Sequence, residues 1–283
     1  MKVFTCLVHL DSSKLHLLNR VLLSQEFLFD EVHVAIITNK FQKNDLNLIL
    51  TALPLQSKRF KIEIINRQYE ALPSPWLLAW VHKTLMHEKF QDETYSHFLN
   101  IEDDIEISLT NIEYWLNARN ELRNHNLFPS FFRVEFNDSK SEWVSVDAIR
   151  GDKFSTSNLP RLIKNEEYGY INLPRIYQGM FLYDRELMQE YVNSGKYVID
   201  EAFPHWRYAL QYPTSPLGLG EASHDGISQI NVPEGFFSRN LLPCNLKYSL
   251  LDPCCFVHHI HNKYTNIEAS EHGKVFVNQI LRA

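Results

Sequence analysis

The sequence predicts an α/β protein with a largely parallel sheet in its N-terminal part. Two observations lead there. Short apolar, β-rich runs alternate with segments of helical periodicity in the order strand, helix, strand, helix, strand, which requires crossover connections between parallel strands. The composition is that of an ordinary globular protein, with 45% hydrophobic and 22% charged residues among 283, so a substantial core is available.

Val3 to Leu10 is the first predicted strand, and Asp11 or Ser12 caps a helix over Lys14 to Phe27, where Leu15, Leu18, Leu22 and Leu23 recur on one side. Val32 to Thr38 is a second strand, Asp45 to Leu53 a second helix closed by Pro54, and Phe60 to Ile65 a third strand. Trp76 to His87 follows as a helix started by Ser74 or Pro75, and it leads into Tyr95 to Ser108, whose front half is a short buried strand running into three acids before Ile105 and Ile107 resume an apolar alternation. Thr110 to Arg123 is helical and Phe131 to Phe136 alternates as a strand. The polar segment from Asp138 to Asn158 reads as the most variable stretch, despite a Trp143-Val-Ser-Val146 alternation inside it.

Ile176 to Tyr183 is a strand in which Gly179 marks a close approach by a ligand or another backbone, and Arg185 to Asn193 is a helix stopped by Gly195. Pro243 to Asp252 reads as irregular, Cys255 to His261 as a strand, and Glu268 to Ala283 as a final helix. No repeat, low-complexity tract or sharp composition shift divides the chain, so a single domain is expected, with residues 1–108 and 109–283 as its halves.

Several function classes are disfavoured. A net charge of −6 argues against a general nucleic-acid binder. No apolar run approaches the ~20 residues that span a bilayer. The N-terminal apolar run lacks a small-residue cleavage site and reads as a strand rather than a signal peptide. Cys6, Cys244, Cys254 and Cys255 show no Cys-x-x-Cys spacing, which suggests neither a zinc site nor a disulfide framework and fits a reducing, cytoplasmic setting. The parallel half also lacks a Gly-x-Gly-x-x-Gly turn and a Walker-type lysine, which disfavours a dinucleotide dehydrogenase or a P-loop enzyme.

The stretch with most chemistry is Phe98-Leu-Asn-Ile-Glu-Asp-Asp-Ile105. Glu102, Asp103 and Asp104 repel one another and resist desolvation at a strand end, unless they point into a solvated turn or share a hard divalent cation. Ligands of open α/β sheets sit beyond the carboxyl ends of the strands. A site of Asp104 with one histidine of the Val257-His-His-Ile-His261 run suits Mn²⁺, which accepts oxygen and imidazole. Adjacent His258 and His259 point to opposite sides of a strand, so one of them at most faces such a metal. Lys83, which shares a helix face with Trp76 and Trp80, suits either a phosphate contact or a surface position.

Taken together, Leu77-Leu-Ala-Trp-Val-His-Lys83, Ser96 to Ile105 and Val257-His-His-Ile-His-Asn-Lys-Tyr264 resemble a bacterial and large-virus group of GT-A glycosyltransferases with a DxD-type motif, here Glu-Asp-Asp. The likeness runs from about residue 75 to 265, anchored between by Tyr177-Gln-Gly-Met180 and Pro233-Glu-Gly-Phe236. His261 departs from a usual proline, and Asn100 from a usual aromatic residue.

The resemblance implies a GT-A fold: a Rossmann-like nucleotide-binding half with a mixed central sheet flanked by helices, merged with a C-terminal acceptor-binding half. It implies transfer of a sugar from a UDP- or GDP-sugar to a glycan or glycoconjugate hydroxyl in polysaccharide biosynthesis, assisted by Mn²⁺ or Mg²⁺. Asp104 would ligate the metal with His258 or His259. Asp103 would meet the ribose or a metal-bound water, with Glu102 in support. His9, Asn66, Arg67, Trp80, His82 and Lys83 would hold the nucleotide-sugar. Inverting transfer needs a general base, for which Glu221 stands first and Asp225 second, although Glu221 also suits a plain helix start. Two alternatives stand beside this reading: a metal-dependent phosphohydrolase or nuclease, which expects acids ending several strands, and an inactive carbohydrate-binding protein. Peripheral membrane association is compatible with a lipid-linked acceptor, but no strongly basic amphipathic helix points to it.

Overall fold

The computed structural model describes residues 1–39, 43–53, 57–66, 75–145, 159–174, 179–197, 223–224, 226–265 and 275–277. In chain order the strands and helices are β1 (Lys2–Val8), α1 (Leu15–Leu28), β2 (Glu31–Thr38), α2 (Lys43–Ala52), β3 (Phe60–Asn66), α3 (Val81–Phe90) and β4 (His97–Glu102). There follow β5 (Ile105–Glu106), α4 (Leu109–Leu122), β6 (Phe128–Pro129), β7 (Phe132–Asn137), β8 (Glu142–Ser145), β9 (Arg161–Ile163) and β10 (Tyr168–Ile171). The last are β11 (Met180–Asp184), α5 (Arg185–Asn193), β12 (Asn240–Asn245), β13 (Leu250–Leu251), β14 (Phe256–His259) and β15 (Val275–Phe276). The fold is mixed α/β. Two compact units form, Met1–Asp104 with Gly179–Ile227, and Ile105–Gln178 with Ser228–Ala283.

The first unit holds a five-stranded sheet in the order β11-β4-β1-β2-β3. β1, β2, β3 and β4 are mutually parallel, and β11 closes the edge antiparallel to β4. The chain therefore runs outward from β1 to β3 and then returns across β1 to place β4 on its other side. Right-handed crossovers put α1 and α2 on one face and α3 on the other; α1 packs beside α2 and against β2, while α3 packs beside α5 and against β1. Helices on both faces explain why β1 is a continuous apolar run rather than an alternating one: Val3 through Leu7 are all buried.

The second unit contains two sheets. One runs β15-β8-β7-β14-β5; the other runs β13-β12-β10-β9, with β6 added beside β12. Within it, β14 is parallel to β7 and antiparallel to β5.

The parallel half follows the pattern of the sequence closely. Four readings elsewhere need correction. The segment from Pro75 opens as a 3-10 helix to Trp80, and the α-helix begins at Val81. Asp138 to Ser145 contains β8, an ordered strand between β7 and β15. Pro243 lies inside β12 rather than in an irregular stretch; its carbonyl accepts from Asp252 N at 3.0 Å, so only its missing N–H is lost to the ladder. Val275–Phe276, placed in a final helix by the sequence, is extended because it pairs with Val144 and Ser145. Apart from Val277, the rest of that segment lies outside the described residues, as do Arg67 and Ile176 to Gln178.

Gly179 sits at the mouth of β11, just before Met180, rather than inside the strand. Its φ is +65°, and its carbonyl accepts from Glu102 N at 3.2 Å. The close approach expected there is made by the Glu102 side chain, whose Oε2 would lie 2.2 Å from a Cβ at this position. Gly179→Ala should thus lower stability by about 1–3 kcal/mol, through the left-handed backbone and the overlap together. In urea unfolding, the Gly179→Ala/Glu102→Ala double variant should regain only the overlap part. Full recovery would mean that the backbone conformation costs nothing.

Candidate functional site

The strand order reverses between β1 and β4, and there the carboxyl ends of the two strands lie side by side, Val8 opposite Glu102. The next residue of each chain segment completes the edge. His9, fully buried and anchored by its N–H to Ile37 O at 2.9 Å, meets Asp103 with Nδ1 2.6 Å from Oδ2. A carboxylate only accepts, so Nδ1 carries the proton and donates. The imidazole is thereby fixed as the Nδ1–H tautomer, and Nε2 is a buried acceptor with no hydrogen-bonding partner among the described residues. Asp103 is 14% exposed, and burial raises its pKa against the opposing pull of the His9 hydrogen bond; the adjacent Asp104 charge pushes it up further.

Behind this edge, on the α3 side, lies a buried polar cluster. Asn100 of β4 donates from Nδ2 to His224 Nδ1 at 2.7 Å, and the His224 ring stacks on His82, centroids 5.9 Å apart and planes inclined by 12°. His82 donates from Nδ1 to Ala79 O, and its Nε2 and the Asn100 Oδ1 are buried without hydrogen-bonding partners among the described residues. Burial pushes the His82 pKa well down, helped by Lys83 and His224. Lys83 is also buried. Its ammonium donates to Lys196 O at 3.3 Å and lies 5.0 Å from the centre of the Trp80 ring and 5.8 Å from that of Tyr191.

In the second unit β14 presents its two histidines to opposite sides, as alternation requires. His258 turns to Asn262, Nε2 3.1 Å from Oδ1, and meets the Trp143 ring edge-on at 5.4 Å. His259 is buried and hydrogen-bonded through Nδ1 to Glu135 Oε1. The other Glu135 oxygen accepts from Tyr264 N at 2.8 Å, and the Tyr264 ring stacks on His259. His261 lies beside it, its ring 6.2 Å from that of His259. A carboxylate that holds one imidazole nitrogen is the usual support of a metal-ligating histidine.

The ladder fixes the strand itself: Ile105 pairs with His259 and Glu106 with His258. Asn111, in the capping box of α4, donates from Nδ2 to Cys254 O and Phe256 O, both at 2.8 Å, and so ties the start of β14 to that helix.

Of the residues singled out in the sequence, the structure brings His9 to Asp103 and packs Trp80 with Lys83. Asn66 ends β3, two strands away from β1. Arg67, Glu221 and Asp225 lie outside the described residues. Sequence reasoning missed Glu135, Asn100 with His224, and Asn111. The signal for Glu135 was a carboxylate inside the strand Phe131 to Phe136, where both faces turn out to be buried.

No protein-family model and no curated protein sequence matches this chain. Among the described residues no helix is long and apolar enough to cross a membrane.

The buried histidines make stability depend on pH. His97 of β4 is held down to about 4 by desolvation, and His82 is depressed in the same way. Both states are neutral above about 6.5; below it the unfolded chain takes up protons that the fold refuses. Stability is therefore full above pH 6.5 and falls as pH drops toward 4, by up to ~1.4 kcal/mol per pH unit for each such histidine. Asp103, with its raised pKa, acts in the opposite sense. Urea midpoints between pH 7 and 4.5 should fall for the natural protein, and His97→Gln should flatten that slope; an unchanged slope would remove His97 from this role.

Proposed function

We propose that the protein is a metal-dependent glycosyltransferase of the GT-A type, moving a sugar from a UDP- or GDP-sugar to a hydroxyl of a glycan or glycoconjugate. The observation that carries the reading is the run Glu102-Asp103-Asp104 at the point where the parallel sheet reverses its strand order, the place where open α/β sheets bind ligands. The Glu135–His259 pair supports it from the second unit. His259 pairs with Ile105, the residue that follows Asp104 in the chain, and its Nδ1 is held by Glu135.

Asp104 and His259 are the proposed ligands of Mn²⁺ or Mg²⁺; an oxygen and imidazole set suits Mn²⁺ best. When bound, the metal neutralises charge on the leaving diphosphate. The chain's own residues do the rest. Asp103 is held by His9 at the sheet edge, oriented for a ribose hydroxyl or a water. Lys83 and His82, buried under the same edge, act through packing and charge rather than as exposed contacts. The acceptor oxygen forms the new bond to the anomeric carbon as the bond from that carbon to the diphosphate oxygen breaks. In an inverting reaction the acceptor proton passes to a carboxylate, Glu221 first and Asp225 second.

Calorimetry with UDP, GDP and their sugars, with Mn²⁺ and with a chelator, tests the reading. Binding should require the metal. Asp104→Ala should abolish the metal-dependent part, and Glu135→Gln should weaken Mn²⁺ affinity about 10–100-fold while the circular dichroism of the fold persists. Binding that is equal with and without metal would overturn the proposal.

A further inference from the structure

The second unit contains a cavity of about 460 Å³ that the reading above does not use. β8, β12, β13 and the start of β14 wall it, with their adjoining turns. Trp143, Tyr248 and Phe256 line it with rings, and Leu250, Leu251 and Val277 with aliphatic groups. Nine large hydrophobic side chains stay exposed among the described residues, and two of them, Trp143 and Tyr248, line this cavity at 37% and 58% exposure. A largely apolar concavity of this size is the usual form of a small-molecule site.

Its two exposed rings are fixed but unstacked. Trp143 pairs with Phe136 in the β7–β8 ladder, and the rings of Phe136 and His258 both meet it edge-to-face, with centroids 5.1 Å and 5.4 Å away. The Lys247 ammonium lies 5.4 Å from the centre of the Tyr248 ring, over one face only. Among the described residues no ring lies parallel to either, so each keeps a face of the kind that offset aromatic pairs use. Tyr248 N donates to Asn245 Oδ1 at 3.0 Å, and Cys254 N donates to Asp252 Oδ1 at 3.0 Å. The turns that carry the lining are therefore held in advance, which lowers the cost of binding there.

The backbone marks the same place. Of the five non-glycine residues with positive φ among those described, three are asparagines, which tolerate the left-handed region. The other two are Ser141 at +50° and Ser249 at +51°. Ser141 lines the cavity, and Ser249 joins Tyr248 to Leu250. Backbone strain of this kind gathers at binding sites.

We propose that this cavity binds a flat apolar ring compound, of one or two fused rings, stacked on Trp143 and Tyr248. The choice follows from the rings and aliphatic groups that are present, whatever the charges beside them. An alkyl chain would gain the same burial but no ring stacking, which adds about two- to tenfold in affinity for each ring engaged. Ring binding is independent of the transferase reading.

The test is saturation-transfer NMR and calorimetry on the full chain with a chelator present, so that no metal site contributes. The probes are indole and 2-naphthol, with hexanol and cyclohexanol as apolar compounds that are not flat. Both ring compounds should bind saturably, and the two alcohols at least fivefold more weakly. Trp143→Ala and Tyr248→Ala should each weaken ring binding at least tenfold, while Trp143→Phe retains most of it and shows that the loss is not one of folding. Phe237→Ser, which removes an exposed ring outside the cavity, should change nothing. No saturable binding of either ring compound, equal binding of the alcohols, survival of binding in both alanine variants, or equal loss in Trp143→Phe or Phe237→Ser would each overturn the proposal. Ring binding without Mn²⁺-dependent UDP binding would leave the cavity standing and remove the transferase; the reverse result would do the opposite.

Discussion

A carboxylate taken out of water must be given donors, and much of this structure is arranged around meeting that requirement. Glu135 is buried in a strand whose two faces are both covered, and it is satisfied by the His259 ring on one oxygen and the Tyr264 backbone on the other. Losing either donor would leave a buried acceptor unpaired, at a cost of about 1–3 kcal/mol or more for a charged group. The same logic operates in the first unit, where Asp103 takes its donor from His9. In both places an acid selects the tautomer of an imidazole. Each of the two units thus holds a histidine by its Nδ1.

The parallel half was legible because its signals are local. Apolar runs such as Val32 to Thr38 and Phe60 to Ile65 have the length and composition of buried strands, and the helices between them carry their own periodicity. The acids after Ile101 were visible as a break in such a run. What could not be read was pairing over long sequence distances. Nothing near Glu135 announces that His259 will lie beside it, and nothing near Asn100 points to His224, which is 124 residues away. β12 was hidden by Pro243, whose missing donor reads locally as a strand breaker. The tail was misread because Val275 and Phe276 owe their extended form to β8 and not to their own preferences.

Lys83 shows how a residue type misleads about environment. A lysine next to a tryptophan on a helix reads as a solvated charge or a phosphate contact. Here its ammonium is enclosed by two aromatic rings and a backbone carbonyl. Its charge still reaches the buried cluster, where it helps hold His82 neutral. The cavity of about 460 Å³ lined by Trp143, Asn245, Leu251 and Phe256 illustrates the converse, since no single stretch of sequence contains it; its walls come from β8, β12, β13 and β14 and adjoining turns.

The first sheet also imposes an order of events on synthesis. β4 is made early, but its outer neighbour β11 belongs to a part of the chain translated only after the whole segment from Ile105 to Gln178. Until then the backbone groups of Phe98, Asn100 and Glu102 that face β11 form an open edge on a largely apolar strand, able to pair with any extended chain nearby. A nascent chain that stalls within that segment would carry a sticky border, and the protein's yield in a cell depends on how quickly Met180 and its neighbours arrive to cover it.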